Sequence, residues 1–203
     1  MVKEGFLFAA VPAVVGGLFL GLGWRAGAAF VFLLAAFVVY FFRDPARAIP
    51  LEPGLIVSPA DGRVVAVSEE ELEDGLKKKV SIFLSLFDVH VNRAPIAGVI
   101  RRMEYRRGKF LAAMKADASR LNEQNILTVV GEQTSVVFAQ IAGVLARRIV
   151  CWKRPGDALQ RGERIGMIRF GSRVDVFLDP ACQIAVRPGE HVKGGTSVLA
   201  RLP

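Results

Sequence analysis

Cysteine and histidine are scarce in this chain of 203 residues. There are two cysteines, Cys151 and Cys182, and two histidines, His90 and His191. Neither pair has the spacing of metal ligands, so a structural or catalytic metal is not expected. Two such distant cysteines read as buried, reduced thiols. Acid is also in short supply: 19 Asp and Glu face 27 Lys and Arg, for a net charge of +8. A basic balance of this size favours nucleic acid or an anionic membrane surface as partner. The interleaving of aromatic and basic residues that single-stranded nucleic acid requires is missing, which excludes the first.

Charge is absent altogether from two stretches, Gly5 to Gly23 and Ala26 to Phe42, with only Trp24-Arg25 between them. Each spans roughly 25–28 Å as a helix, at about 1.5 Å per residue. The pattern predicts an apolar helical hairpin over residues 1–42, with a Gly-rich turn that holds the one Arg. Trp24, Tyr40, Phe41 and Phe42 sit where interfacial aromatics belong, and Lys3, Arg43 and Arg47 flank the two ends. The positive-inside rule then predicts a cell-membrane location with the following domain on the cytoplasmic side. A cleaved signal peptide fits poorly, because the second apolar run follows at once. A shallow, interfacial hairpin is as compatible with these lengths as a spanning one.

From residue 43 to 203 the texture is that of a second domain. Short apolar runs are separated by Gly, Pro and Asp: Gly62 to Val67, Val80 to Leu84, Gly98 to Ile100, Ile126 to Val130, Ser135 to Ala139 and Val174 to Leu178. Such spacing predicts a mainly β (α+β) domain of sandwich or barrel type. Helical stretches are few: Phe110 to Ala113, Ala142 to Arg147 and Glu69 to Lys79 are the candidates, the last reading as a charged surface segment. Two internal echoes point to duplication. Pro59-Ala-Asp-Gly-Arg-Val64 resembles Pro95-Ile-Ala-Gly-Val-Ile100. Pro155-Gly-Asp-Ala-Leu-Gln-Arg-Gly162 resembles Pro188-Gly-Glu-His-Val-Lys-Gly-Gly195. The second pair is similar to the interlocked β units of lipoyl and biotinyl carrier domains.

Four segments carry candidate chemistry. Ser58-Pro-Ala-Asp61-Gly62 is a turn that can present a carboxylate rigidly. Phe83-Leu-Ser-Leu-Phe-Asp-Val-His90-Val-Asn-Arg-Ala-Pro95 is an apolar run that opens on to His90, Asn92 and Arg93, as a strand does when it delivers polar groups to a pocket. Lys115-Ala-Asp-Ala-Ser-Arg-Leu-Asn-Glu-Gln-Asn125 crowds amides and charges ahead of a strand. The fourth is the dipeptide Gly171-Ser172, inside Arg169-Phe-Gly-Ser-Arg-Val-Asp175. Glycine has no Cβ and tolerates strained backbone angles, so a following hydroxyl can approach its carbonyl.

Together with Phe41-Phe-Arg-Asp-Pro45, these segments resemble the phosphatidylserine decarboxylase family in its short bacterial and archaeal form. The motifs stand in family order from Phe41 to Leu178, with Phe-Gly-Ser-Arg where longer members have Leu-Gly-Ser-Thr. The resemblance implies a zymogen that cuts itself between Gly171 and Ser172, giving a β chain (1–171) and an α chain (172–203). Ser172, His90 and Asp61 are then the nucleophile, its base and the orienting carboxylate. The serine becomes a covalent pyruvoyl cofactor. That group forms a Schiff base with the headgroup amine of phosphatidylserine in the membrane, and CO2 departs to leave phosphatidylethanolamine. Asn92, Arg93, Lys115 and Arg169 are the candidates for binding the substrate's phosphate or carboxylate. A homodimer stands as a further partner expectation. The alternative is a membrane-tethered biotinyl or lipoyl-type carrier modified at Lys115, because Ala112-Ala-Met-Lys115-Ala is similar to the core of a biotin acceptor hairpin. That hairpin would need a matching strand directly after Lys115, and none follows.

Overall fold

The computed structural model describes residues 2–72, 75–115, 117–144, 148–169 and 171–203, without the side chains of Lys3 and Glu4. Four of the segments singled out above therefore extend beyond what is described: Glu69 to Lys79 at residues 73–74, Lys115 to Asn125 at 116, Ala142 to Arg147 at 145–147, and Arg169 to Asp175 at Phe170. The chain divides into two compact units, 1–46 and 47–203.

The first unit is a helical hairpin, α1 (Lys3–Gly21) and α2 (Arg25–Phe41). Gly23, at φ +78°, makes the turn, and the Trp24 ring packs against Phe19 at 4.7 Å between centroids. At the open end Phe8 stacks on Phe42, and the Val2 N–H donates to the Phe42 carbonyl. Leu7, Val11, Leu18, Phe30 and Leu33 are exposed. Among the described residues no helix is long and apolar enough to cross a membrane.

The second unit is built from strands. Its first half holds β1 (Leu55–Val57), β2 (Gly62–Leu72), β3 (Gly75–Leu84), β4 (Val91–Arg93) and β5 (Gly98–Arg106). The one-turn helix α3 (Ala118–Leu121) leads into β6 (Gln124–Val130) and β7 (Ser135–Ile141). Then come β8 (Ile149–Cys151), β9 (Ala158–Leu159), β10 (Arg164–Ile168), β11 (Ser172–Leu178), β12 (Gln183–Ile184), β13 (His191–Val192) and β14 (Val198–Arg201). Eight of them form one antiparallel sheet in the order β13-β2-β3-β11-β7-β6-β5-β9. Two three-stranded sheets, β1-β14-β12 and β4-β10-β8, make up the rest. The core between them is Val, Ile and Leu with Phe138, wholly buried. At about 1.5–3 kcal/mol for each large side chain, its burial dominates stability.

The duplication predicted from the echoes is present as geometry. Gly62 pairs with Val192 at one edge of the large sheet, and Gly98 pairs with Leu159 at the other. The Val57 N–H donates to the Pro95 carbonyl, and the Arg93 N–H donates to the Pro59 carbonyl. Gly156 and Gly189 have φ of +93° and +96°, and the closing Gly162 and Gly195 have +76° and +77°. Two related β units therefore interlock around the core.

All six predicted strand runs lie in observed strands. The helix expectations fail. Glu69 to Leu72 lies in β2 and Gly75 to Lys79 in β3, with Glu69 opposite Lys78 and Glu70 opposite Lys77. These charges neutralise each other across two strands rather than along a helix face. Phe110 to Ala113 is irregular chain, held by Asn122, which accepts from the Leu111 N–H and donates to the Leu111 carbonyl. Ala142 to Val144 continues past the end of β7 without helical turns.

Candidate active site

Ser172 opens β11, a strand with a neighbour on each side. It stands opposite Leu84 of β3, and Arg173 stands opposite Ile141 of β7. Side chains alternate along the strand. Val174, Val176 and Leu178 enter the main core, so Ser172 points there too. The residue is wholly buried, and among the described residues its Oγ has no hydrogen-bond partner. A buried hydroxyl left this way costs about 1–3 kcal/mol, a cost that native structures bear mainly where chemistry needs it.

Gly171 precedes it at φ +67°, a conformation open to glycine and strained for most other residues. Continuing the β11–β7 ladder past Arg173 and Ile141 brings Gly143 opposite Gly171. The approach is close: a Cβ on Gly143 would lie 2.3 Å from the Gly171 carbonyl oxygen. Gly143 is held from behind. The neighbouring Ala142 donates its N–H to the Glu123 carbonyl and accepts from Asn122 Nδ2 at 2.8 Å. The Gly171 carbonyl is thus bounded by a second glycine that spacing gave no reason to choose.

His90 closes a short segment that begins at the end of β3, the strand beside Ser172. The segment 85–90 leaves β3 beside Ser172 and rejoins the fold where the His90 carbonyl accepts from the Ile168 N–H. Both of its ends are tied to the 168–172 stretch. Asp88 stiffens it: one carboxylate oxygen accepts from the Ser85 N–H and hydroxyl, and the other contacts His191 Nε2 at 2.8 Å. Nδ1 of the fully buried His90 lies 3.0 Å from the Asp88 carbonyl oxygen. A carbonyl can only accept, so Nδ1 carries the proton and Nε2 is the basic nitrogen.

Asp61 has a different setting. Arg47 Nη2 donates to both of its oxygens, at 2.9 and 2.8 Å, and the Gly194 N–H donates to Oδ1 at 2.8 Å. The carboxylate is thereby fixed at the junction of the two β units. The hydrogen bonds given to it run to Arg47 and Gly194, while the orienting acceptor for His90 is the Asp88 carbonyl. Arg47, read from sequence only as a flanking charge, is the partner of Asp61. The two side chains are 9 and 10% exposed. Arg47→Met in an uncleaved background is expected to lower unfolding stability by about 3 kcal/mol, read from the urea midpoint.

The other candidates separate. Asn92 is buried on β4, and its Oδ1 accepts from Gln140 Nε2 at 2.8 Å. Arg93 turns into the repeat junction, where Nη1 donates to the Gly162 carbonyl. Lys115 lies in a turn ahead of α3, and its carbonyl accepts from Arg173. Arg169 lies two residues before Gly171, and its N–H donates to the Arg148 carbonyl. The segment around α3 packs on the outer face of β11. There Asp175 accepts from Arg173 Nε at 2.6 Å and from Ser119 Oγ at 2.8 Å. Burial pushes both thiols, Cys151 and Cys182, above their usual range, so neither offers a thiolate at neutral pH.

Residues 34–200 match the family model for phosphatidylserine decarboxylase. The chain belongs to the phosphatidylserine decarboxylase family. The phosphatidylserine decarboxylase proenzyme of Solibacter usitatus is 50% identical over 204 residues, covering 99% of this chain and 96% of that one. The proenzyme of Symbiobacterium thermophilum is 47% identical over 205 residues, covering 99% and 95%. That of Carboxydothermus hydrogenoformans is 43% identical over 206 residues, covering 100% and 96%. As a phosphatidylserine decarboxylase family member, the chain carries Asp61, His90, Gly171 and Ser172 all inside the matched region.

Proposed function

We propose that this protein is a self-processing phosphatidylserine decarboxylase, and that Ser172 becomes its pyruvoyl cofactor. The observation that carries this reading is the buried hydroxyl of Ser172, without a partner among the described residues, directly after a left-handed Gly171. Beside the Gly171 carbonyl stand Gly143 and, next to it, Ala113, residues small enough to fit such a cofactor.

The chain's own groups supply the processing steps. His90 Nε2 takes the Ser172 proton as Oγ attacks the Gly171 carbonyl carbon. The Gly171–Ser172 C–N bond breaks, the proton passes to the nitrogen, and an ester joins the two segments. Loss of the Ser172 Cα proton expels the Gly171 carboxylate. Water then replaces the nitrogen at residue 172, which leaves as ammonia. Two chains result, 1–171 and 172–203. The α chain stays in place because β11 is paired on both sides, by β3 and β7. Once formed, the pyruvoyl ketone supplies an electrophile for the headgroup amine and a sink for the electron pair left by CO2. In this reading His90 returns a proton to the substrate carbon, and Asn92 and Arg169 bind its oxygens.

The substrate is a bilayer lipid, and the hairpin suits it. The exposed apolar side chains of α1 and α2 support insertion into the interfacial region, with the charges at Lys3 and Arg43 on the cytoplasmic side. In vesicles containing phosphatidylserine labelled at its carboxyl carbon, the purified protein should release label as CO2 and accumulate phosphatidylethanolamine. Hydrazine should stop both. Turnover that hydrazine leaves untouched would exclude the carbonyl cofactor.

A further inference from the structure

Three amides are buried in a row beside the site. Asn125 Nδ2 donates to Gln140 Oε1 at 3.0 Å, and Gln140 Nε2 donates to Asn92 Oδ1 at 2.8 Å. Asn125 and Gln140 face each other across β6 and β7. Gln140 also stands opposite Val174, two residues beyond Ser172 on the same face of β11. Asn92 reaches this row from the small sheet, where it pairs with Gly166. All three side chains are buried, and the row ends in an orphan: among the described residues nothing accepts from Asn92 Nδ2.

Direction is the informative property of this row. An amide is a donor at one end and an acceptor at the other, so each link fixes the next. Asn125 gives Gln140 its orientation, and Gln140 gives Asn92 its orientation. The last link presents N–H, not C=O, to the interior space that Ser172 also enters. A buried donor without an acceptor fits an oxygen-bearing, anionic group that arrives later.

We infer that Gln140 is a positioning residue, backed by Asn125, which holds Asn92 so that its Nδ2 donates to an oxygen of the reacting headgroup. The inference rests on the decarboxylase reading above. It requires no contact between Gln140 and substrate. Apolar packing would explain a buried residue at 140, but not three amides in donor-to-acceptor series.

The test is to reverse the row with a carboxylate. In Gln140→Glu the ionised side chain can only accept, so Asn92 turns over, donates to it, and shows its carbonyl to the substrate. In Asn125→Asp the ionised side chain draws the Gln140 donor to itself, and Gln140 then turns Asn92 over in the same way. Asn92→Asp keeps the bond from Gln140 and removes the donor alone. A protonated carboxyl restores donation in each case. Burial raises a carboxyl pKa, so each variant should lose activity as pH rises through that raised value and regain it below. Asn125 also lines a cleft of about 300 Å³ with Tyr105 and Cys151, which gives a carboxyl at 125 access to solvent protons.

Steady-state decarboxylation should be measured on the full, processed chain from about pH 5 to about pH 9, with wild type as reference at each pH. The expected loss at the alkaline end is about a hundredfold in all three variants, largely reversed at the acid end. Profiles parallel to wild type would overturn the inference, as would an equal loss at every pH in variants that still process into two chains. A variant that fails to process is replaced by the next, since each carries the test alone. Wild-type protein that makes no phosphatidylethanolamine would instead sink the functional reading, a distinct result.

Discussion

Ser172→Ala is expected to remain one chain of 203 residues and to decarboxylate nothing. The substitution removes a single oxygen that makes no hydrogen bond among the described residues. Its backbone place opposite Leu84 in the β3 ladder is unaffected, because alanine pairs as serine does. Folding should therefore survive intact, with stability unchanged or raised by about 1 kcal/mol. Chemistry should not survive at all. Without Oγ there is no attack on the Gly171 carbonyl, no ester and no ketone at residue 172. Denaturing electrophoresis reads the cleavage, and labelled CO2 release reads the activity. Because the two losses share one cause, no variant at 172 should separate them by keeping activity without the cut. Few single-atom changes elsewhere in the chain should match this effect, since the core tolerates small losses of contact.

The second large effect is expected far from Ser172 in sequence. Gly143→Val places a Cβ where only 2.3 Å separates it from the Gly171 carbonyl oxygen. The contact is with backbone and cannot be relieved by rotating a side chain. Ala142 is gripped by Glu123 and Asn122, so the Gly171 side must give way. Attack on a carbonyl depends on the nucleophile's line of approach, and a displacement near 1 Å costs about a hundredfold in rate. Processing of Gly143→Val, followed over time after synthesis, should slow by about that factor or stop. Gly17→Ala is the control. It lies in α1, nothing lies within 4 Å of its added Cβ, and processing should proceed as in wild type.

What the amino-acid order reveals here divides along a physical line. Strands announce themselves locally, through β-branched runs bounded by Gly and Pro, and Val80 to Leu84 or Val174 to Leu178 could hardly have been anything else. The duplication was also legible, because the Pro-Gly…Gly units must repeat the same left-handed turns to close the same shape. Ser172 and His90 stand out by residue type and neighbours. What stayed hidden depends on register between distant segments. Gly143 looks like any glycine until the β7–β11 ladder sets it against Gly171. Gln140 looks like a polar residue on an ordinary strand until Asn92 reaches it from another sheet. Arg47 was legible as a charge beside the hairpin, but its bond to Asp61 arises only from folding. The charges of the Glu69 to Lys79 segment suit a helix surface as well as paired strands, and only the pairing of β3 with β2 and β11 decides between them.

The central claim is that an internal hydroxyl cuts its own backbone and leaves a ketone behind. Intact-mass measurement on the small fragment of purified, active wild-type protein tests it most directly. The account predicts a peptide covering residues 172–203, lighter by one ammonia than simple hydrolysis would give, lacking an N-terminal α-amine, and gaining mass with borohydride. Active protein that is a single unbroken chain, or a fragment that begins with an ordinary serine, would contradict it.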